Sequence, residues 1–114
     1  MERIAIRNML YDFYGELLTK HQRDVYESII FQDMSLSETA DEFGISRRGV
    51  HDLVKRCDRL LEDYENKLGL VERFLRVRNA AEELCAVTNE FAEGRDERLL
   101  PRIRELSLQI EKDL

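Results

Sequence analysis

The sequence predicts an all-α fold: a helix-turn-helix domain with a long recognition helix, followed by a C-terminal helical hairpin. Three observations predict it. The segment from Ser35 to Arg56, SLSETADEFGISRRGVHDLVKR, holds two helix starts separated by a very short turn. Apolar residues recur at spacings of three and four along most of the chain, the period of helices with one buried face. The 114 residues include five glycines, one proline and no tryptophan, a composition that favours ordered helices over strands or disorder.

The first helix is expected from Glu2 to about Leu18, with Ile6, Leu10, Phe13 and Leu17 as its buried stripe and Met9 and Tyr14 widening it. Tyr11 and Tyr14, at helical spacing, read as core or interface residues before they read as a platform for stacked bases. Thr19 and Gln22 form a capping box that opens a second helix carrying Val25, Ile29 and Ile30 and ending near Gln32. His21 lies in its first turn without a ligand partner one helical turn away, so it reads as a surface residue and not as part of a metal site.

Ser35 and Glu38 repeat the capping-box pattern, so a third helix should start near Leu36. Gly44 can take the left-handed conformation that ends it, and Ser46 can cap the next helix immediately. So tight a turn sets the two helices at a steep angle. Ala40 is the small residue such a crossing needs, and Leu36, Phe43, Ile45, Val50 and Leu53 fall where a shared core would lie.

The recognition helix should run from Arg47 to Leu68, about 30 Å at 1.5 Å per residue, far longer than the part that could enter a groove. Its apolar face is Val50, Leu53, Val54, Cys57, Leu60, Leu61, Tyr64 and Leu68. Gly69 reads as its C-terminal cap. A further helix is expected from Leu70 to Ala92, with Leu70, Phe74, Val77, Ala81, Leu84 and Phe91 spaced almost as a heptad. A turn over Glu93 to Asp96 leads to a last helix with Pro101 in its first turn and Leu99, Ile103, Leu106, Ile110 and Leu114 on one stripe. The expected organisation is residues 1–68 as the helix-turn-helix domain, with the motif at 35–56, and residues 69–114 as an antiparallel helical pair in the same compact unit.

No apolar run is long enough to span a bilayer, and MERIAIRNML lacks the apolar core and cleavage site of a signal peptide. A cytoplasmic protein without membrane insertion is expected. Cys57 and Cys85 lie on apolar helical stripes with no CxxC or CxxH neighbour, which predicts two buried, reduced thiols. The net charge is -6, against a protein that lives by unspecific attraction to phosphate. The balance reverses locally: residues 46–59 carry Arg47, Arg48, Lys55, Arg56 and Arg59 against Asp52 and Asp58, a net +3, while Glu38, Asp41 and Glu42 make the preceding helix acidic.

Catalytic constellations are missing from the sequence. There is no phosphate-cradling glycine loop, no histidine paired with a serine or cysteine nucleophile and no metal-ligand motif. Glu62 with Asp63 and Glu82 with Glu83 are sequence neighbours that diverge on a helix surface. A non-enzymatic protein without cofactors or metals is expected.

The stretch from Leu18 to Leu68 resembles region 4 of bacterial sigma factors, in Leu18, Thr19 and Gln22 of the supporting helix and in the helix-turn-helix after it. A closer resemblance is to the YlxM family, which covers the first two-thirds of the chain and includes Phe13-Tyr14 and the LEDYE of Leu61 to Glu65. These are small all-helical proteins encoded beside the signal recognition particle GTPase. The resemblance implies a DNA-binding or regulatory protein linked to that pathway. It places Arg47, Arg48, His51, Asp52 and Lys55 at the exposed recognition-helix positions, where alanine is usual at the site of Gly49.

Two functions from different classes follow. One is a sequence-reading module for DNA, or RNA, with Arg47 and Arg48 reaching guanine edges or phosphates, His51 and Asp52 reading bases, and Lys55 and Arg56 holding the backbone. The same six side chains are also what any solvated helix face displays. A lone acidic monomer would bind weakly, so a homodimer presenting two recognition helices is expected. The other is an adaptor that docks on the signal recognition particle GTPase or its RNA, using the helix-turn-helix as scaffold.

Overall fold

A computed structural model of the chain describes residues 2–114, and every regular element among them is helical. The helices are α1 (Arg3–Tyr14), α2 (Lys20–Ile30), α3 (Leu36–Phe43), α4 (Arg47–Leu68), α5 (Leu70–Gly94) and α6 (Leu100–Asp113), with 3-10 turns at Gly15–Leu17 and Glu97–Leu99. They fall into two units, Met1–Gly69 and Leu70–Leu114.

In the first unit α4 is the central element, with α1, α2 and α3 packed on it. Its buried face is Val50, Val54, Cys57 and Leu61, one residue per turn at spacings of four, three and four. Tyr14, Val25, Tyr26 and Thr39 meet this row from the other three helices, each with no more than 1% of its surface exposed. The Thr39 hydroxyl finds no hydrogen-bond partner there.

The local signals around the motif form as their residues dictate. Both capping boxes close: the Thr19 side chain accepts from the Gln22 N–H while Gln22 accepts from the Thr19 N–H, and Ser35 and Glu38 exchange the same pair. Gly44 ends α3 at φ 67°, ψ 33°, a conformation a Cβ would strain, and Ser46 Oγ accepts from the Gly49 N–H at 2.9 Å to start α4. Ala40 is buried at the crossing, and its carbonyl accepts from the Ile45 N–H. Gly69, at φ 63°, ends α4 after 22 residues, about 33 Å of helix.

Three expectations are corrected. Helix α1 stops at Tyr14, not near Leu18, because the chain tightens into the 3-10 turn and Leu18 then leaves it in extended conformation. The buried row is therefore Leu10, Tyr14 and Leu18, while Ile6 and Leu17 point outward. Gly15 fits this bend, since a Cβ there would come within 3.1 Å of the Tyr11 ring. Leu36 is 40% exposed instead of filling the core between α3 and α4. Cys57 is buried, but Cys85 is exposed.

The second unit is a helical hairpin. Arg102 on α6 grips Glu83 on α5, and Arg76 pairs with Asp113 at 3.5 Å, so the helices run antiparallel. Ala80 and Leu106 are buried in it. Helix α5 continues two residues beyond Ala92 to Gly94, Arg95 turns at φ 51°, and the Asp96 side chain accepts from the Arg98 N–H at 3.0 Å.

Candidate nucleic-acid interface

Residues along α4 advance by about 100° each, so the buried row of Val50, Val54, Cys57 and Leu61 fixes what the opposite face displays. Diametrically opposite that row lie Arg48, Asp52, Lys55 and Arg59, all exposed. Arg47 and His51 fall on one flank and Arg56 on the other. Arg47 and Arg56 are nine residues apart, about half a turn around the axis, so no flat surface meets both. A groove with two walls can.

All six side chains singled out from the sequence are exposed, and α4 brings them together within its first three turns. Three are coupled. Asp52 lies 3.9 Å from Arg48 and 3.6 Å from the His51 ring nitrogen Nδ1, so its carboxylate steadies both neighbours on the outward face. The Arg48 side chain stays 91% exposed, which leaves this pair weak and its guanidinium available. Arg47, Lys55 and Arg56 have no ion-pair partner among the described residues.

The surroundings of α4 supply further polar groups. On one side an open cleft is lined by Ser35, Leu36 and Ser37 at the start of α3 together with Arg47, Arg48 and His51. On the other, Thr19, His21 and Gln22 at the start of α2 line a cleft with Gly49, Asp52 and Arg56. Helix starts present partial positive charge, so each flank of the recognition helix combines cationic side chains with a helix N-terminus. Leu36, out of the core, forms the apolar part of the first cleft. His21 is exposed, as expected, with its ring edge-on to that of Phe43 and the ring centres 6.1 Å apart.

Sequence reasoning left two cations out of the candidate set. Arg59 continues the Lys55 row one turn further and could have been found by that spacing. Arg3, on α1, lines a groove with His51, Lys55 and Arg59. No spacing relates it to α4, so only the tertiary packing brings it there. Among the described residues no group of three or more His, Cys, Asp or Glu side chains could hold a metal ion. Nor is any helix long and apolar enough to cross a membrane.

Fold and site together define a helix-turn-helix protein, with an extended second helix and a basic outward face. The comparison with known families agrees: residues 1–97 match the UPF0122 model, described as "Putative helix-turn-helix protein, YlxM / p13 like". The chain belongs to the UPF0122 family. It is 40% identical over 105 residues to a UPF0122 protein of Thermoanaerobacter sp. strain X514, covering 91% of this chain and 90% of the relative. A UPF0122 protein of Shouchella clausii is 40% identical over 107 residues, covering 93% and 98%. One from Staphylococcus carnosus reaches 52% over 67 residues, covering 59% and 61%. The family match also takes in all of α5, beyond the two-thirds of the chain covered by the resemblance read from the sequence.

Proposed function

We propose that this protein is a cytoplasmic DNA-binding regulator that presents the first turns of α4 to a duplex and works in the signal recognition particle pathway. The observation that carries the DNA-binding part is the display on α4: Arg48, Asp52 and Lys55 face away from the core, with Arg47 and Arg56 on opposite flanks. In a major groove Arg48 and Asp52 meet base edges, Lys55 holds the backbone, and the flanking arginines meet the phosphates of the two walls. Asp52 suits a cytosine amino group, and Arg48 suits guanine. The pathway assignment rests on the resemblance to YlxM proteins.

A net charge of -6 and the exposed Glu38, Asp41 and Glu42 on α3 limit what one chain can hold. Binding by a homodimer, with recognition helices about 34 Å apart, answers that limit. The same acidity favours a second function, an adaptor docked on a basic partner such as the signal recognition particle GTPase or its RNA.

A gel shift separates these. Arg47→Ala with Arg48→Ala should abolish a salt-sensitive duplex complex while leaving the circular dichroism spectrum unchanged. If the wild-type protein shifts no duplex at low salt, the DNA function is wrong. Co-purification with the GTPase or its RNA, tested with and without nuclease, would then carry the adaptor function.

A further inference from the structure

We infer that the nucleic-acid surface does not end with the first turns of α4 but continues into the α1–α4 groove, where Arg3 and Arg59 form an anchor for the phosphodiester backbone. This rests on the DNA-binding function proposed above and names the second part of its footprint.

The groove has a volume of about 490 Å³, and Arg3, His51, Lys55 and Arg59 reach into it from two helices. Its remaining arginine, Arg7, is committed: it pairs with Asp58 through both Nε, at 3.0 Å, and Nη2. That pair cancels the charge of Asp58, so the carboxylate left on the lining of the groove is Glu62. Arg3, Lys55 and Arg59 are exposed and have no ion-pair partner among the described residues.

The groove is continuous with the candidate reading face through two shared residues, His51 and Lys55. From His51 to Arg59 is eight residues, about 12 Å along the helix, long enough to face more than one phosphate of a strand whose residues advance 3.4 Å along the duplex axis. The ligand chemistry that suits a row of unpaired cations next to a base-reading face is the backbone of the same nucleic acid. The row also gives the long α4 a use beyond its reading turns. Because such contacts touch no base, they add affinity without sequence preference.

Each phosphate contact contributes a slope of about -0.9 to the dependence of log affinity on log salt. Two contacts correspond to about twelve-fold of affinity between 50 and 200 mM salt. The test is fluorescence anisotropy with a labelled DNA duplex across that range, comparing the unaltered 114-residue chain with Arg3→Gln/Arg59→Gln. The expected result is a slope shallower by about 1.8, unchanged discrimination between duplex sequences and an unchanged circular dichroism spectrum. Arg3→Lys/Arg59→Lys should restore the slope.

If the wild type binds duplex and loses it on Arg47→Ala with Arg48→Ala, yet the glutamine variant keeps the wild-type slope, the backbone anchor is wrong and the DNA function stands. If the wild type binds no duplex, both fall. If polyglutamate binds as tightly as duplex and loses the same affinity in the glutamine variant, the groove takes acidic proteins and the anchor is again overturned.

Discussion

Asp58, halfway along α4, accepts hydrogen bonds from Arg7 on α1 and, at 2.6 Å, from the Tyr26 hydroxyl on α2, so one half-buried carboxylate ties three helices together. Burial, then the Asp58 carboxylate, pushes the Tyr26 phenol above its ordinary pKa. Tyr11, stacked on Tyr26 at 5.5 Å and donating to Glu27, is pushed the same way, again first by burial. Burial also pushes the Cys57 thiol up to about 11. All three groups hold their protons more tightly folded than unfolded. Their contribution to stability is therefore complete below the unfolded values, near 9 for cysteine and 10 for tyrosine, and is lost as pH rises above them. Urea midpoints should be level from pH 7 to about 9 and then decline, and Tyr26→Phe should flatten the decline. An identical decline in that variant would mean that the Tyr26 phenol is neither buried nor held by Asp58 in solution. These hydrogen bonds join positions 16 to 51 residues apart, and nothing in the local sequence announced them.

At the scale of elements, the helix-turn-helix was legible because its determinants are local. A capping box, a left-handed glycine and a serine cap each act within four residues, and here all of them agree on the same boundaries. Two substitutions test that. Gly44→Ala has open space for its methyl group but forces alanine to φ 67°, which should cost about 1–2 kcal/mol. Ser46→Ala removes the cap on the Gly49 N–H and should cost about 1 kcal/mol. Both are read as denaturant midpoints. Gly49, which stands where the family resemblance leads one to expect alanine, has a local reason: a Cβ there would lie 3.0 Å from Ser46 Oγ, crowding that cap. What the periodicity places less well is α1. The 3-10 turn that replaces its expected last turn puts Leu18 into the buried row in place of Leu17, and within the helix Tyr14, expected only to widen the stripe, is buried while Phe13 is exposed. Arg3 was missed for a related reason, since its place beside Arg59 depends on how α1 packs on α4.

At the scale of the whole molecule, charge and size limit what one chain can hold. A 13.5 kDa acidic protein has one recognition helix, and the proposed homodimer doubles it. Sedimentation equilibrium should give twice the chain mass at the concentrations where a duplex is bound, and a persistent 13.5 kDa species in the complex would exclude the paired half-site arrangement. Fold class and helix order were readable from composition, period and punctuation. Which thiol faces water was not, because both cysteines sit on apolar stripes and exposure depends on what covers each stripe.

That difference between the cysteines has a practical side. Cys57 is sealed in the core with its thiolate suppressed, whereas Cys85 on α5 is open to solvent. The native chain thus carries a single addressable attachment point, so a spin label or fluorophore can be placed on α5 without removing any residue. In a two-copy assembly that label becomes a molecular ruler, reporting the separation of the two α5 helices with and without nucleic acid.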